Sequence, residues 1–182
     1  MNRSSSSSAP LFTAASRLYA TMSQPIRSAC LRLVKHGAPK DVLQLQHDQI
    51  DARSIKPDQL LLDILAAPIN PSDVNMVEGK YPVTPSLPSV AGFEGVACVR
   101  AAGTAVQSCA PGDWVIPTAP AQGTWRQCGI FPAANWHKIA IDIPVDAAAT
   151  LFVKCAVRLP APYRIAPPSQ PTQCAAHVGR LC

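Results

Sequence analysis

The chain has 182 residues, 48% of them hydrophobic, with 19 prolines, seven cysteines and a formal net charge of +5. That length suits one domain with tails and is short for a cofactor domain plus a substrate domain; the hydrophobic share excludes wholesale disorder, and the prolines argue against a helix bundle. Six basic residues and no acidic one precede Asp41, after which ten Lys and Arg face eleven Asp and Glu, so the globular part is near neutral and offers no basic stripe to nucleic acid.

Residues 1–24, MNRSSSSSAPLFTAASRLYATMSQ, are Ser-rich, carry Arg3 and Arg17 and lack acids. This is the composition of an organelle presequence, mitochondrial ahead of plastid; Ser and Ala break the apolar core that a secretory signal needs. No run of about 18 apolar residues predicts a membrane span. From about Ile26 the pattern turns to strands: Ala29–Val34, then Val42, Leu43 and Leu45, then Leu60–Leu65 with at least one buried face. Asn70-Pro71-Ser72-Asp73 sets a capping residue before Pro at the first helical position, and Gly79 stands where such a helix would stop. A short helix over about 71–77 is predicted, leading into the loop Gly79-Lys80-Tyr81-Pro82. Further strands are predicted at Gly95–Ala101, Trp114–Pro117, Trp125–Ile130 and Lys138–Ile141, and short strands joined by turns read as a barrel or sandwich. Val145–Val153 begins as a helix. Residues 155–182 then hold five prolines, three cysteines and no hydrophobic period, and read as an irregular tail.

The runs AAPINPSDVNMVEGKYPV, LPSVAGFEGVACV, PGDWVIP, GTWR and IPVDAAATLFV, in this order, resemble the catalytic domain of the medium-chain dehydrogenase/reductases. Within that superfamily they most resemble the mitochondrial trans-2-enoyl-thioester reductases, over roughly residues 26–153. The resemblance implies a mainly β fold with short helices, a GroES-like β-barrel over 25–153 between the presequence (1–24) and a divergent tail (154–182). It also implies NADPH-dependent reduction of 2-enoyl thioesters, carried on ACP or CoA, in fatty acid synthesis of the mitochondrial matrix. The family adds a Rossmann domain. Here no two of the nine glycines form the G-x-G that lets backbone N–H groups approach a pyrophosphate, and Lys154 stands where the family has an Asn that touches the cofactor. The expectation is a catalytic domain without its cofactor domain: inactive alone, and not expected to form the family's homodimer. The rival reading is a non-catalytic GroES-like binding or interaction module from a truncated transcript.

Zinc-dependent relatives carry His in a G-H-E motif. Gly92-Phe93-Glu94 stands in its place, Phe cannot ligate, and no two of Cys30, Cys98, Cys109, Cys128, Cys155, Cys174 and Cys182 form a C-x-x-C, so no metal is expected and Glu94 reads as a structural carboxylate. The odd cysteine count suits free thiols.

Taken alone, Tyr81 is a loop tyrosine with a wet hydroxyl. The resemblance implies instead a catalytic role: a phenol stays protonated at neutral pH and donates a hydrogen bond to the thioester oxygen as negative charge develops there. Tyr19 and Tyr163 fall in the presequence and the tail. Asn70 reads as a helix N-cap. Asn75 either faces the nicotinamide edge or sits on a solvated helix face. Trp125 reads as core packing ahead of acyl-pocket lining, and His137 receives no role. No G-x-S-x-G hydrolase signature occurs.

Overall fold

A computed structural model describes residues 24–82 and 84–153. The presequence expectation, Gln24 aside, and the tail expectation for 154–182 therefore lie outside the described residues. The chain is mainly β with short helices, in two antiparallel sheets.

The first sheet runs β2-β1-β4. Strand β1 (Ile26–Leu33) pairs with β2 (Leu43–Ile50) without a break, from Ile26 opposite Ile50 to Leu33 opposite Leu43. One helical turn, α1 (Pro39–Val42), connects them and starts with its proline, whose fixed φ suits the first helical position. Val42 thus ends this turn instead of opening a strand, and its buried side chain packs with Met76 and Val77. As an edge strand β2 leaves Gln44, His47 and Gln49 in solvent. The two-residue β4 (Ser89–Val90) pairs with the end of β1.

The second sheet runs β7-β3-β5-β6-β8, with β3 (Gln59–Ala66), β5 (Val96–Ala102), β6 (Trp114–Pro117), β7 (Cys128–Pro132) and β8 (Trp136–Ile139). Leu60, Leu61 and Leu62 of β3 are all fully buried. Leu60 and Leu62 join Val99, Val115, Phe131 and Trp136 on one side, while Leu61 meets Ala52 and Cys128 on the other. Both faces of this strand are covered, so it reads as a continuous apolar run.

Trp125–Gln127, expected as the start of a strand, is instead the seam between the sheets. The Leu31 N–H donates to the Trp125 carbonyl (2.9 Å), the Gln127 N–H to the Ala29 carbonyl (2.9 Å) and the Ile64 N–H to the Gln127 carbonyl (2.8 Å). Pairing with β3 begins only at Cys128.

Helix α2 (Pro71–Val77) follows β3 and seals one end with Met76 and Val77 against Leu33, Val42, Ala91 and Phe93. Helix α3 (Val145–Ala149) is shorter than the expected Val145–Val153: the Thr150 N–H returns to the Ala147 carbonyl, and residues 151–153 are helical beyond this break. Its Ala148 and Ala149 are buried against Val96 and Ile116, small side chains letting the helix settle on β3 and β5. Among the described residues the large apolar side chains left in solvent are Leu45, Leu65, Ile69, Ile141 and Val145. No helix of the described residues is long and apolar enough to cross a membrane.

Candidate active site

Helix α2 is tightly held at its N-terminus and leads at its other end to Tyr81. Asn70 is its N-cap and Pro71 its first residue, as the sequence predicts. Asp73, three residues on, is fully buried: Oδ2 accepts the Asn70 N–H and Oδ1 the Phe93 N–H, both at 2.8 Å. Burial raises the Asp73 carboxyl above the ordinary Asp range, and these hydrogen bonds oppose the rise. Sequence reasoning named the cap but missed Asp73; the signal was an acidic residue three positions after an N-cap Asn. At the other end Gly79, with φ +76°, turns the chain, its N–H on the Met76 carbonyl and the Lys80 N–H on the Asn75 carbonyl.

The Tyr81 ring that follows is half-buried and leans on Phe93, with centroids 5.1 Å apart and planes at 50°. Phe93, where a zinc ligand would stand in the G-H-E pattern, is thus a buried wall behind the tyrosine. Its position depends on Gly92 (φ +105°), where an added Cβ would collide with the Thr124 hydroxyl and lie 2.8 Å from the Trp125 backbone nitrogen. Among the described residues none hydrogen-bonds the Tyr81 hydroxyl. Lys80 beside it pairs with Glu78 at 2.8 Å.

Glu94 is buried next to Phe93. Its Oε1 accepts the Asn70 side-chain amide (2.7 Å), its Oε2 the Val153 N–H (2.8 Å), and its carbonyl the Thr124 hydroxyl (2.7 Å). Trp125 packs at the margin of the cluster that holds Tyr81 and Phe93, and its indole N–H donates to the Pro68 carbonyl at 3.1 Å. The same ring lines an open groove of about 400 Å³ with Leu31, Leu45, Ile64, Leu65 and Ile69. A second cavity, about 370 Å³, lies by Trp136 and the 105–108 loop. Tyr81 lines neither. Asn75 is exposed on α2, and His137 is half-buried on β8 opposite Ile116; neither joins Tyr81. Among the described residues no three of His, Cys, Asp and Glu converge on a point that could hold a metal ion. Cys30, Cys98, Cys109 and Cys128 are free thiols.

Residues 56–141 match the alcohol dehydrogenase GroES-like domain. The chain is 43% identical over 119 residues to the mitochondrial enoyl-[acyl-carrier-protein] reductase of Arabidopsis thaliana, covering 65% of this chain and 31% of that protein. It is 41% identical over 135 residues to the human protein of the same name, covering 74% and 36%. Among solved structures it superposes with TM-score 0.66 and 30% identity on an enoyl thioester reductase complex with NADP and crotonyl-CoA, covering 69% of this chain and 40% of that one. The barrel with its capped α2 is therefore a GroES-like domain of the medium-chain dehydrogenase/reductase superfamily. Within that superfamily the chain is homologous to part of the mitochondrial enoyl-acyl-carrier-protein reductases, and it spans about a third of the length of the curated relatives it matches.

Proposed function

We propose that this chain is the GroES-like part of a mitochondrial matrix enzyme that reduces trans-2-enoyl thioesters, carried on an acyl carrier protein or CoA, and that Tyr81 is its catalytic hydrogen-bond donor. The observation that carries this reading is the Tyr81 hydroxyl, bonded to no described residue, on a ring braced by Phe93 and hung from a capped helix. The names of the relatives and the crotonyl-CoA of the solved complex support the substrate class. As the conjugated thioester is reduced, negative charge gathers on its carbonyl oxygen, and a preorganised donor aimed at that oxygen lowers the barrier.

NADPH is the reductant the family uses, but the residues present do not fit a dinucleotide. The whole sequence has no G-x-G, and α2 and α3 open on Asn-Pro-Ser and Pro-Val-Asp, not on a glycine-rich turn. No residue here is assigned to the cofactor. The chain supplies the donor to the thioester oxygen, and the domain boundaries proposed are 1–24, 25–153 and 154–182.

The test is NADPH consumption with a 2-enoyl-CoA. The 182 residues alone are expected to give no turnover, and residues 26–153 grafted onto an intact cofactor domain of the family are expected to restore it. Turnover by the chain alone, or an inert but folded graft, would contradict the proposal; the inert graft would favour a binding module. The address is tested by fusing residues 1–40 to a reporter: import into mitochondria is expected, and retention in the cytosol would contradict it.

A further inference from the structure

We infer that Glu94 is a positioning residue that couples the Tyr81 loop to the segment carrying Val153. Its two carboxylate oxygens serve two distant parts of the chain. Oε1 holds the Asn70 side-chain amide at the N-cap of α2, and Oε2 holds the Val153 N–H just beyond α3. Asn70 in turn presents its own N–H to Asp73, whose other oxygen fixes Phe93, and Phe93 is the wall against which the Tyr81 ring rests. Glu94 adjoins Phe93 in sequence, and the Thr124 hydroxyl clamps its carbonyl, so the carboxylate has little freedom to shift without moving both arms.

The chemistry requires a carboxylate. Both arms are N–H donors, and only a group with two acceptor oxygens answers both. A glutamine of the same shape offers one oxygen and one NH₂, so it keeps one donor and opposes the other. Glu94 is almost fully buried (1% exposed), so water does not replace the lost partner. The consequence is a two-way connection. Whatever packs on α3 and settles Val153 also settles the α2 cap, and by linkage whatever orders the α2 cap settles Val153 to the same extent. Through Tyr81 this reading rests on the proposed function for its catalytic meaning, but the coupling stands on the hydrogen bonds alone.

The experiment is hydrogen exchange by mass spectrometry on the full 182-residue chain, comparing wild type, Glu94→Gln, Asn70→Ala and the double variant, with a thermal melt to establish folding. Peptides spanning Asn70–Tyr81 and Val145–Val153 are read. Glu94→Gln is expected to speed exchange in both, by roughly tenfold in one and several-fold in the other, the factor for losing about one hydrogen bond to a carboxylate. Asn70→Ala is expected to speed exchange at Val153, far from its own peptide, and to have no further effect there once Glu94 is replaced. Should Glu94→Gln fail to fold, Glu94→Asp, whose shorter stem reaches one donor only, takes its place. If Glu94 replacement moves only one of the two peptides, or if Asn70→Ala leaves Val153 unchanged or acts on it equally with and without Glu94, the coupling is refuted. No turnover enters the measurement, so its failure is separate from failure of the catalytic assignment to Tyr81.

Discussion

The Asp73 carboxylate accepts the Phe93 N–H at 2.8 Å, across 20 residues of chain, while its other oxygen accepts the Asn70 N–H. One fully buried side chain thus joins the start of α2 to the wall behind Tyr81. Asp73→Ala leaves two N–H groups without that acceptor, each loss costing about 1–3 kcal/mol, with partial relief from no longer burying a carboxyl. A net loss of roughly 2–4 kcal/mol in urea unfolding is expected, with Asp73→Asn, which retains one acceptor oxygen, in between. Unchanged stability of Asp73→Ala would show the two bonds to be idle.

The pH dependence follows from the direction of the Asp73 shift. Its folded value is raised above the ordinary 3.8, chiefly by burial, so the folded chain binds this proton more tightly than the unfolded chain. The resulting stabilisation is complete below the unfolded value and is lost as pH rises through the raised folded value. Asp73→Asn removes that titration. The stability advantage of wild type over Asp73→Asn should therefore narrow as pH rises from below the ordinary Asp value through the raised folded one, measured by urea unfolding. An advantage that widens with pH would reverse the sign.

Gly92→Ala places a Cβ against the Thr124 hydroxyl and 2.8 Å from the Trp125 backbone nitrogen, at a φ of +105° that side chains rarely adopt. Backbone cannot yield as a flexible side-chain tip does. The expected cost is about 2–4 kcal/mol, combining strain at the φ with displacement of the seam residues. Gly112→Ala is the control: its φ is +94° but nothing lies within 4 Å of the added Cβ, so only the conformational part is paid there. Equal losses at the two sites would remove the steric part of the explanation.

Burial pushes the thiols of Cys30 and Cys128 above the usual value of 9.0, and both side chains are buried. Alkylation needs an accessible thiolate. Iodoacetamide at pH 8 should label these two at least about tenfold more slowly in the folded chain than in urea, read by peptide mass spectrometry. Fast native labelling at Cys30 would contradict the packing of β1 against the seam.

How much of this was legible beforehand depended on whether the cause was local. Asn70-Pro71 and Gly79 carry their helix start and stop in their own backbone preferences, so α2 was readable, as was Trp114–Pro117. Tyr81 stood out only through the resemblance of the whole motif series. The double burial of Leu60–Leu62 was ambiguous because a continuous apolar run does not say what covers its second face. Trp125–Gln127 read as the start of the strand that follows it, but its partners, Ala29, Leu31 and Ile64, lie more than 60 residues away. The reach of Asp73 to Phe93 and of Glu94 to Val153 depends on tertiary approach, which no local pattern encodes. Ala147–Ala149 were readable as helix formers, but that the smallness of Ala148 and Ala149 lets α3 lie close on the sheet depends on what packs there.

The measurement that bears most directly on the role of Tyr81 is steady-state kinetics of Tyr81→Phe in the graft of residues 26–153 onto an intact cofactor domain. The substitution removes one hydroxyl and keeps the ring that rests on Phe93. If that hydroxyl stabilises the thioester oxygen, kcat should fall by about 10²–10³ with little change in NADPH affinity. A Tyr81→Phe graft that turns over 2-enoyl-CoA as fast as its parent would contradict the assignment.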